Sequence, residues 1–220
     1  MRFKVRDVLR AKRLGKKFYE IYVRYDKEPE PGTFAMVWLP DHEAIPLSFA
    51  GWENDVARFL VKVVGPTTAA LFSATKVGVS DPLGRRAPVP LSSPTYVAGG
   101  IGVAPFLYMK KKWGGRLLLG VKSKEELPKI LDEVDEIATD DGSIGFKGNV
   151  VDLFLENPST RDVYVCGPYP MIEYFKSRTR GMKLKAYYST ERPVKCGIGI
   201  CGACAISGRL LCKEPWLPLS

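Results

Sequence analysis

The stretch TYVAGGIGVAPFLYMKKKW, residues 95–113, decides the fold. TYVA has the composition of a short buried strand, GGIG (99–102) is a glycine turn, and VAPFLYMKKKW favours a helix with Pro105 near its first position. A strand, a glycine loop and a helix N-terminus together form a nucleotide-phosphate site in α/β sheets, because the backbone can approach closely and the helix dipole favours anions. The match to G-x-G-x-x-G is imperfect, so a tight turn without a ligand remains an alternative.

Downstream of this stretch the pattern alternates between strand and helix. RLLLGV (116–121), EIATDD (136–141) and DVYVCGP (162–168) favour strands, KAYYSTE favours a last strand, and KEELPKILDEV, GNVVDLFLE and PMIEYFKSRT favour helices. Repeated β-α units predict a doubly wound parallel sheet with its ligand at the carboxyl ends of the strands. GGIG and the sequence Cys166-Gly167-Pro168 both fall at such ends.

Cys166 has two interpretations. It is either a buried structural thiol in a tight turn or a group placed against a bound nicotinamide or isoalloxazine ring. No histidine lies beside it in the sequence, so we do not predict a nucleophile.

Upstream, residues 2–88 contain short segments rich in β-branched and aromatic residues, separated by turns. Such spacing predicts a small barrel or sandwich. Within it, Pro46 and Ser48 of IPLSFAGW are candidates for an extended edge facing a flat ligand. Thr67 and Thr68 of GPTTAALF are predicted at a helix N-cap, with hydroxyls and N–H groups suited to a phosphate. A plain strand and a plain helix cap are the alternatives.

Near the end, KCGIGICGAC places cysteines at positions 196, 201 and 204, and Cys212 follows in LLCKE. This C-x4-C-x2-C spacing with a fourth cysteine is that of a plant-type [2Fe-2S] cluster. The intervening glycines let the backbone curl round such a cluster and aim N–H groups at its sulfurs.

Zinc and disulfides are the rival interpretations of these cysteines. Structural zinc favours paired C-x2-C knuckles, and only Cys201 and Cys204 form one. The opening residues lack the apolar centre of a signal peptide, which disfavours disulfides and predicts a cytoplasmic protein. The only histidine, His42, has no accompanying nucleophile motif, so the sequence favours cofactor chemistry over acid–base hydrolysis.

The formal net charge of +9 is unevenly placed. Residues 1–30 carry ten Lys or Arg against five acids, residues 176–220 carry nine against two, and the middle is −3. The basic, cysteine-bearing end suits an acidic protein partner as well as nucleic acid, with a solvated surface as the alternative. No apolar run approaches the length of a membrane span, so no membrane association is expected.

The order of these parts resembles the electron-transfer subunits of heteromeric dihydroorotate dehydrogenases, within the wider ferredoxin–NADP reductase family. The resemblance rests on PLS with a GxxT turn, GGIGVAP, TDDGS near 139–143, CGPxPM at 166–171 and the cysteine loop, and covers nearly the whole chain. It implies a six-stranded antiparallel barrel (1–88) binding FAD, a nicotinamide-nucleotide domain (89–181) and a small [2Fe-2S] loop domain (182–220).

The resemblance also implies site residues. The flavin contacts would be Pro46, Leu47, Ser48, Leu60, Val61, Lys62, Thr67 and Thr68. The nicotinamide side would be Gly100, Gly102, Cys166, Gly167 and Pro168. The cluster ligands would be Cys196, Cys201, Cys204 and Cys212, and no side chain is assigned as a catalytic acid or base.

Two departures from the family pattern stand out. Many relatives have an Arg immediately before the proline of the PLS-like motif to hold the flavin diphosphate, whereas this chain has Ile45. Lys62 or a backbone cap must then neutralise that charge. The gap from Cys204 to Cys212 is also shorter than usual, so the loop must be compact.

The implied function is electron transfer in pyrimidine biosynthesis, from a separate FMN-bearing catalytic subunit through the cluster and FAD to exchangeable NAD+. The implied assembly is a heterotetramer with two copies of each subunit, without nucleic acid. Subunits of NAD(P)H:ferredoxin oxidoreductases or sulfide dehydrogenases are an alternative with the same cofactors. A basic zinc protein that binds nucleic acid is an alternative of another class, but it leaves GGIGVAP and CGP unexplained.

Overall fold

The computed structural model describes residues 1–158 and 160–219. Contacts divide the chain into two compact units, one of Met1–Ala87 with Arg192–Pro215, the other of Pro88–Glu191 with Trp216–Ser220. The cysteine-bearing segment therefore packs within the first unit. The division into three cofactor domains stays a prediction, since it concerns what each part binds.

The regular elements are as follows. The strands are β1 (Phe3–Arg13), β2 (Phe18–Arg24), β3 (Phe34–Trp38), β4 (Ile45–Glu53), β5 (Val56–Lys62), β6 (Lys76–Ser80), β7 (Thr95–Gly99), β8 (Arg116–Val121), β9 (Glu136–Thr139), β10 (Phe146–Lys147), β11 (Asp162–Gly167), β12 (Lys185–Thr190), β13 (Ala205–Ile206), β14 (Arg209–Leu210) and β15 (Leu217–Pro218). The helices are α1 (Pro66–Ala70), α2 (Val103–Trp113), α3 (Val150–Glu156) and α4 (Tyr169–Arg178).

The first unit is built on a closed barrel in the order β1-β2-β5-β4-β3-β6, with every neighbouring pair antiparallel. Alternating apolar residues fill its interior, and Ile21, Val23, Met36, Phe59 and Val79 have no exposed surface. The predicted six-stranded antiparallel barrel is confirmed.

The second unit is a seven-stranded sheet in the order β10-β9-β8-β7-β11-β12-β15, parallel except for β15. Neighbouring residues of β7 point to opposite faces. Val97 packs in the cluster that holds α3 and α4, whereas the Tyr96 ring lies 5.1 Å from the Phe106 ring of α2. Helices therefore cover both faces, and the predicted doubly wound sheet is confirmed.

One predicted helix is wrong. KEELPKILDEV forms only two 3-10 turns, at Lys124–Glu126 and Leu131–Glu133. Pro128 explains the break, because proline disfavours the α conformation in the preceding residue and lacks an N–H group of its own. No helix within the described residues is long and apolar enough to span a membrane.

Candidate functional site

The loops that follow β7 and β11 meet at the carboxyl edge of the sheet. The two strands are parallel neighbours, with Cys166 opposite Ala98. A Cβ on Gly102 would come closer than 3.0 Å to the backbone of Cys166 and Gly167. A Cβ on Gly167 would come to 3.1 Å from the Gly99 backbone and 2.8 Å from the Met171 methyl group. Glycine is therefore required for the two loops to pack together.

All five residues proposed for the nicotinamide side lie at this edge. They are Gly100, Gly102, Cys166, Gly167 and Pro168. Gly100 adopts a φ of 54°, and the space where its Cβ would stand is open. The loop backbone is therefore accessible to a ligand at that point.

The Cys166 thiol is protonated at neutral pH. Burial and, to a smaller extent, the Glu191 charge raise its pKa to about 12, against a hydrogen bond with Ser189 that lowers it. A thiol of this kind is a poor nucleophile.

The predicted flavin segments lie where two neighbouring barrel strands separate. Pairing of β4 with β5 runs from Glu53 opposite Val56 to Phe49 opposite Phe59, with a bulge between Phe49 and Gly51. Pro46–Ser48 continue beyond this ladder paired with β3, and Leu60–Lys62 continue paired with β2. The two segments thus lie beyond the end of the β4–β5 ladder, where β4 and β5 no longer pair with each other.

The helix cap was predicted at the wrong residues. Gly65 is the N-cap of α1, and both threonines lie inside the helix. The Thr68 hydroxyl accepts from the N–H groups of Val64 (2.9 Å) and Gly65 (3.0 Å) and donates to the Gly65 carbonyl (2.8 Å). It therefore stabilises the turn between β5 and α1 and is not left for a phosphate, while Thr67 is half-buried.

A buried ion pair beside the flavin segment was missed by the sequence analysis. Glu20 is 1% exposed, accepts a hydrogen bond from Tyr22 at 2.9 Å, and pairs with Arg58 of β5. Burial and Glu20 raise the pKa of Tyr22. The signal available in the sequence was an acid inside the apolar run FYEIYV, since an acid at such a position needs a buried cation.

The cysteine segment forms a loop whose N–H groups point at sulfur. Cys196 Sγ accepts from the N–H groups of Ile200 at 3.4 Å and Cys201 at 3.5 Å. Gly197 and Gly199 have φ angles of 69° and 85°, which only glycine adopts without strain and which turn the chain round the sulfur.

These N–H groups change the chemistry of the sulfur. Donation from Cys201, Ile198 and Ile200 lowers the pKa of Cys196 to about 6, so its thiolate predominates at neutral pH. Thiolate is the form that binds iron.

The other three cysteines differ in exposure. Cys204 and Cys212 are buried, and the Cys212 N–H donates to Cys204 Sγ at 3.4 Å, whereas Cys201 is exposed. Burial, a hydrogen bond with Cys204 and the Cys204 charge raise the pKa of Cys212 to about 11. Among the described residues, no three His, Cys, Asp or Glu side chains converge closely enough to hold a metal ion. The four cysteines are near one another without forming a closed ligand cage.

The fold is that of a class of oxidoreductases that bind FAD and a nicotinamide nucleotide. A structure from work on the NADH-dependent reduced ferredoxin-NADP oxidoreductase superimposes with a TM-score of 0.84, at 25% identity, over 98% of this chain and 88% of that one. The FAD/NAD-binding domain of nitric oxide dioxygenase from Vibrio cholerae shares the fold, with a TM-score of 0.70 over 86% of this chain and 99% of that one, at 15% identity. A scan against protein-family models matches none of them.

Similarity to curated proteins assigns the chain to one family within this class. The chain is 39% identical over 197 residues to the probable dihydroorotate dehydrogenase B (NAD(+)), electron transfer subunit, of Pyrococcus furiosus, covering 84% of this chain and 77% of that protein. It is 37% identical over 222 residues to the protein of that name from Archaeoglobus fulgidus, covering 94% and 93%. The chain belongs to the family of dihydroorotate dehydrogenase B electron transfer subunits.

Proposed function

We propose that this protein transfers electrons between the FMN of a dihydroorotate dehydrogenase catalytic subunit and NAD+, through a [2Fe-2S] cluster and FAD. The observation that carries the proposal is the loop of N–H groups around Cys196, which belongs to the same compact unit as the barrel. Family membership supplies the reaction. The proposed setting is the cytoplasm, in a heterotetramer with two copies of each subunit.

The chemistry of the cysteine loop suits an iron–sulfur cluster. We assign Cys196, Cys201, Cys204 and Cys212 as its ligands. The donor set is all sulfur, the loop stabilises a thiolate at Cys196, and two of the cysteines are shielded from water. Backbone N–H groups directed at cluster sulfurs tune the reduction potential of such centres.

The barrel fits a flavin. We assign Pro46, Leu47 and Ser48 with Leu60, Val61 and Lys62, which lie beyond the end of the β4–β5 ladder. Backbone groups freed from a ladder suit the polar edge of a flavin ring, since they need hydrogen-bond partners. Thr67 and Thr68 complete the set at the turn after β5, where Thr68 orders the backbone.

The edge formed by the GGIG and CGP loops fits a nicotinamide nucleotide. We assign its pyrophosphate to the backbone at Gly100 and Gly102, next to the start of α2, an eleven-residue helix. Cys166, Gly167 and Pro168 form the opposite wall. The protonated Cys166 thiol presents a neutral surface there and avoids charge next to a nicotinamide ring.

The residues of this chain bind and orient the carriers and move no substrate proton. FAD, when bound, exchanges hydride with nicotinamide and single electrons with iron–sulfur centres, so it links two-electron and one-electron chemistry. The barrel fixes the ring through backbone contacts. The cysteine loop holds negative sulfur in place with N–H groups, and the glycine loops let the nucleotide approach the backbone.

The test is to co-express this chain with the dihydroorotate dehydrogenase catalytic subunit of the same organism. We expect a coloured complex containing FMN, FAD, iron and inorganic sulfide that reduces NAD+ with dihydroorotate. Cys201→Ser should remove iron and sulfide and abolish this reaction, while NADH-dependent dye reduction through FAD continues. Cys166→Ser is the matched control and should keep the cluster. A complex that oxidises dihydroorotate with dyes yet never reduces NAD+ would contradict the proposed acceptor.

A second candidate function is that of a subunit of an NAD(P)H:ferredoxin oxidoreductase or sulfide dehydrogenase. It is favoured by the TM-score of 0.84 with the NADH-dependent reduced ferredoxin-NADP oxidoreductase structure. The same co-expression experiment separates the two candidates. Failure to bind the dihydroorotate dehydrogenase subunit, together with NADH-dependent reduction of ferredoxin, would select the second.

A further inference from the structure

Four of the large apolar side chains exposed in the first unit lie together on the outside of the barrel. They are Met1, Phe3, Val5 and Trp38, with 50%, 36%, 72% and 40% of their surface exposed. We call them the β1–β3 patch. Val5 and Trp38 are both opposite Gly78 in the ladders of β1 and β3 with the intervening β6, so they share one face of the sheet.

Gly78 makes room for the aromatic part of this patch. A Cβ on Gly78 would lie 3.0 Å from Cε3 of Trp38 and 3.6 Å from Cδ1 of Phe3. The two rings pack over the β6 backbone with their centroids 6.5 Å apart and their planes tilted by 54°. The result is an exposed apolar surface with two aromatic rings, the residue type that is enriched in protein contacts.

The β1–β3 patch continues into the cysteine segment. Gly197, in the loop between Cys196 and Cys201, is packed so that its Cβ would lie 3.4 Å from Met1 Sδ and 3.1 Å from Met36 of β3. Ile200 in the same loop is 80% exposed. A protein covering the patch would therefore also cover the loop proposed to hold the cluster.

Charge restricts what can cover this surface. The first unit carries 19 Lys or Arg against 11 Asp or Glu, a formal +8, whereas the rest of the chain carries 14 against 13. Arg2, Lys4 and Lys76 lie in or next to the patch strands. A second copy of this chain would bring like charges together, while a partner with an acidic rim would be attracted.

We infer that the β1–β3 patch is the docking surface for the catalytic subunit, whose matching face has an apolar centre and an acidic rim. The inference rests on the proposed function for the identity of the partner. Docking here places the cysteine loop in the buried contact, so that electrons cross the interface over a short distance. Aromatic residues at the centre of such a contact carry a large share of the binding energy.

The experiment measures the affinity of the purified full-length chain for the FMN-containing catalytic subunit by calorimetry at two salt concentrations. Val5→Glu changes an exposed side chain and should weaken binding about tenfold or more. Trp38→Ser should do the same, and wild-type affinity should fall as salt rises. Leu91→Glu is the matched control, since Leu91 is 85% exposed, lies in the second unit and belongs neither to the patch nor to a proposed cofactor site. Visible spectra and NADH-dependent dye reduction should be unchanged in all variants.

The outcomes separate the two ideas. If the wild-type chain binds and the affinities of Val5→Glu and Trp38→Ser are within twofold of that of Leu91→Glu, the docking surface is overturned and the proposed function stands. A wild-type chain that does not bind the catalytic subunit at all overturns the proposed function, and this inference with it. A wild-type chain that is dimeric alone and becomes monomeric with Val5→Glu assigns the patch to a second copy and overturns the inference.

Discussion

Gly102 lies directly against the backbone carbonyl of Cys166, and there is no room for a Cβ between them. This approach joins the ends of β7 and β11 into one edge. It depends on a residue without a side chain, because backbone on both sides cannot move aside as a flexible side chain would.

Gly102→Ala should therefore separate the two loops. We expect a loss of about 1–3 kcal/mol in unfolding free energy, as for other overpacked sites, and weaker NADH binding. Urea unfolding and NADH titration measure the two effects. Gly51→Ala is the matched control, because its Cβ would make an ordinary 3.4 Å contact with Arg58. A Gly102→Ala protein as stable as wild type would contradict the close approach.

Thr68→Ala removes the hydroxyl that satisfies the N–H groups of Val64 and Gly65. We expect a loss of about 1–2 kcal/mol, the usual effect of removing a helix-capping side chain, and faster release of FAD. Flavin fluorescence on dilution reports the release. Thr68→Ser keeps the hydroxyl and should retain most of both properties. Equal losses in the two variants would show that the methyl group matters and the hydroxyl does not.

Substitutions at Ile45 and Lys62 test which positive charge neutralises the negative charge of the flavin diphosphate. Ile45→Arg should tighten FAD binding by about tenfold, because a charge-assisted hydrogen bond contributes roughly 1.5–3 kcal/mol. Lys62→Met should weaken it, with Lys12→Met, an exposed lysine of β1, as the control. Equilibrium dialysis of FAD gives the affinities. Unchanged FAD affinity in both Ile45→Arg and Lys62→Met would place the diphosphate elsewhere.

In the chain without its cluster, the alkylation rates of Cys196 and Cys166 should depend differently on pH. N–H donation lowers the Cys196 pKa to about 6, so its labelling rate should be level between pH 7 and 9. Burial raises the Cys166 pKa to about 12, so its rate should be slow and still rising with pH through that range. Peptide mass spectrometry after iodoacetamide treatment measures both, and urea-unfolded chain is the control. Equal rates at pH 7 in the folded chain would contradict both shifts.

Glu20→Gln leaves the Arg58 charge without its buried partner. We expect a loss of about 3 kcal/mol, since an uncompensated buried charge is costly. Glu214→Gln breaks the more exposed pair with Arg209 (2.8 Å) and should change stability by less than about 1 kcal/mol. Thermal unfolding of the two variants gives the comparison. A Glu20→Gln protein no less stable than Glu214→Gln would show that Arg58 finds another partner.

Local sequence patterns predicted most strands and helices correctly where the period of the apolar residues and the flanking turn residues indicated the same element. Strands β7, β8 and β11 and helices α2, α3 and α4 are examples, because short apolar strands and amphipathic runs differ in period. The prediction was wrong at residues 124–134, because it gave more weight to the helix-forming side chains than to Pro128. It also misplaced the cap of α1, since Thr68 acts from inside the helix on the residues before it.

The sequence by itself determined the order of the parts, the class of fold and the cysteine spacing, because these depend on residue type and on distances along the chain. Only the tertiary structure decided which groups meet. It showed the contact of Gly102 with Cys166, the burial of Glu20 beside Arg58, the end of the β4–β5 ladder at Phe49 and the apolar patch over Gly78. These contacts join residues far apart in the chain, and their energies come from close packing and burial, which no local pattern specifies.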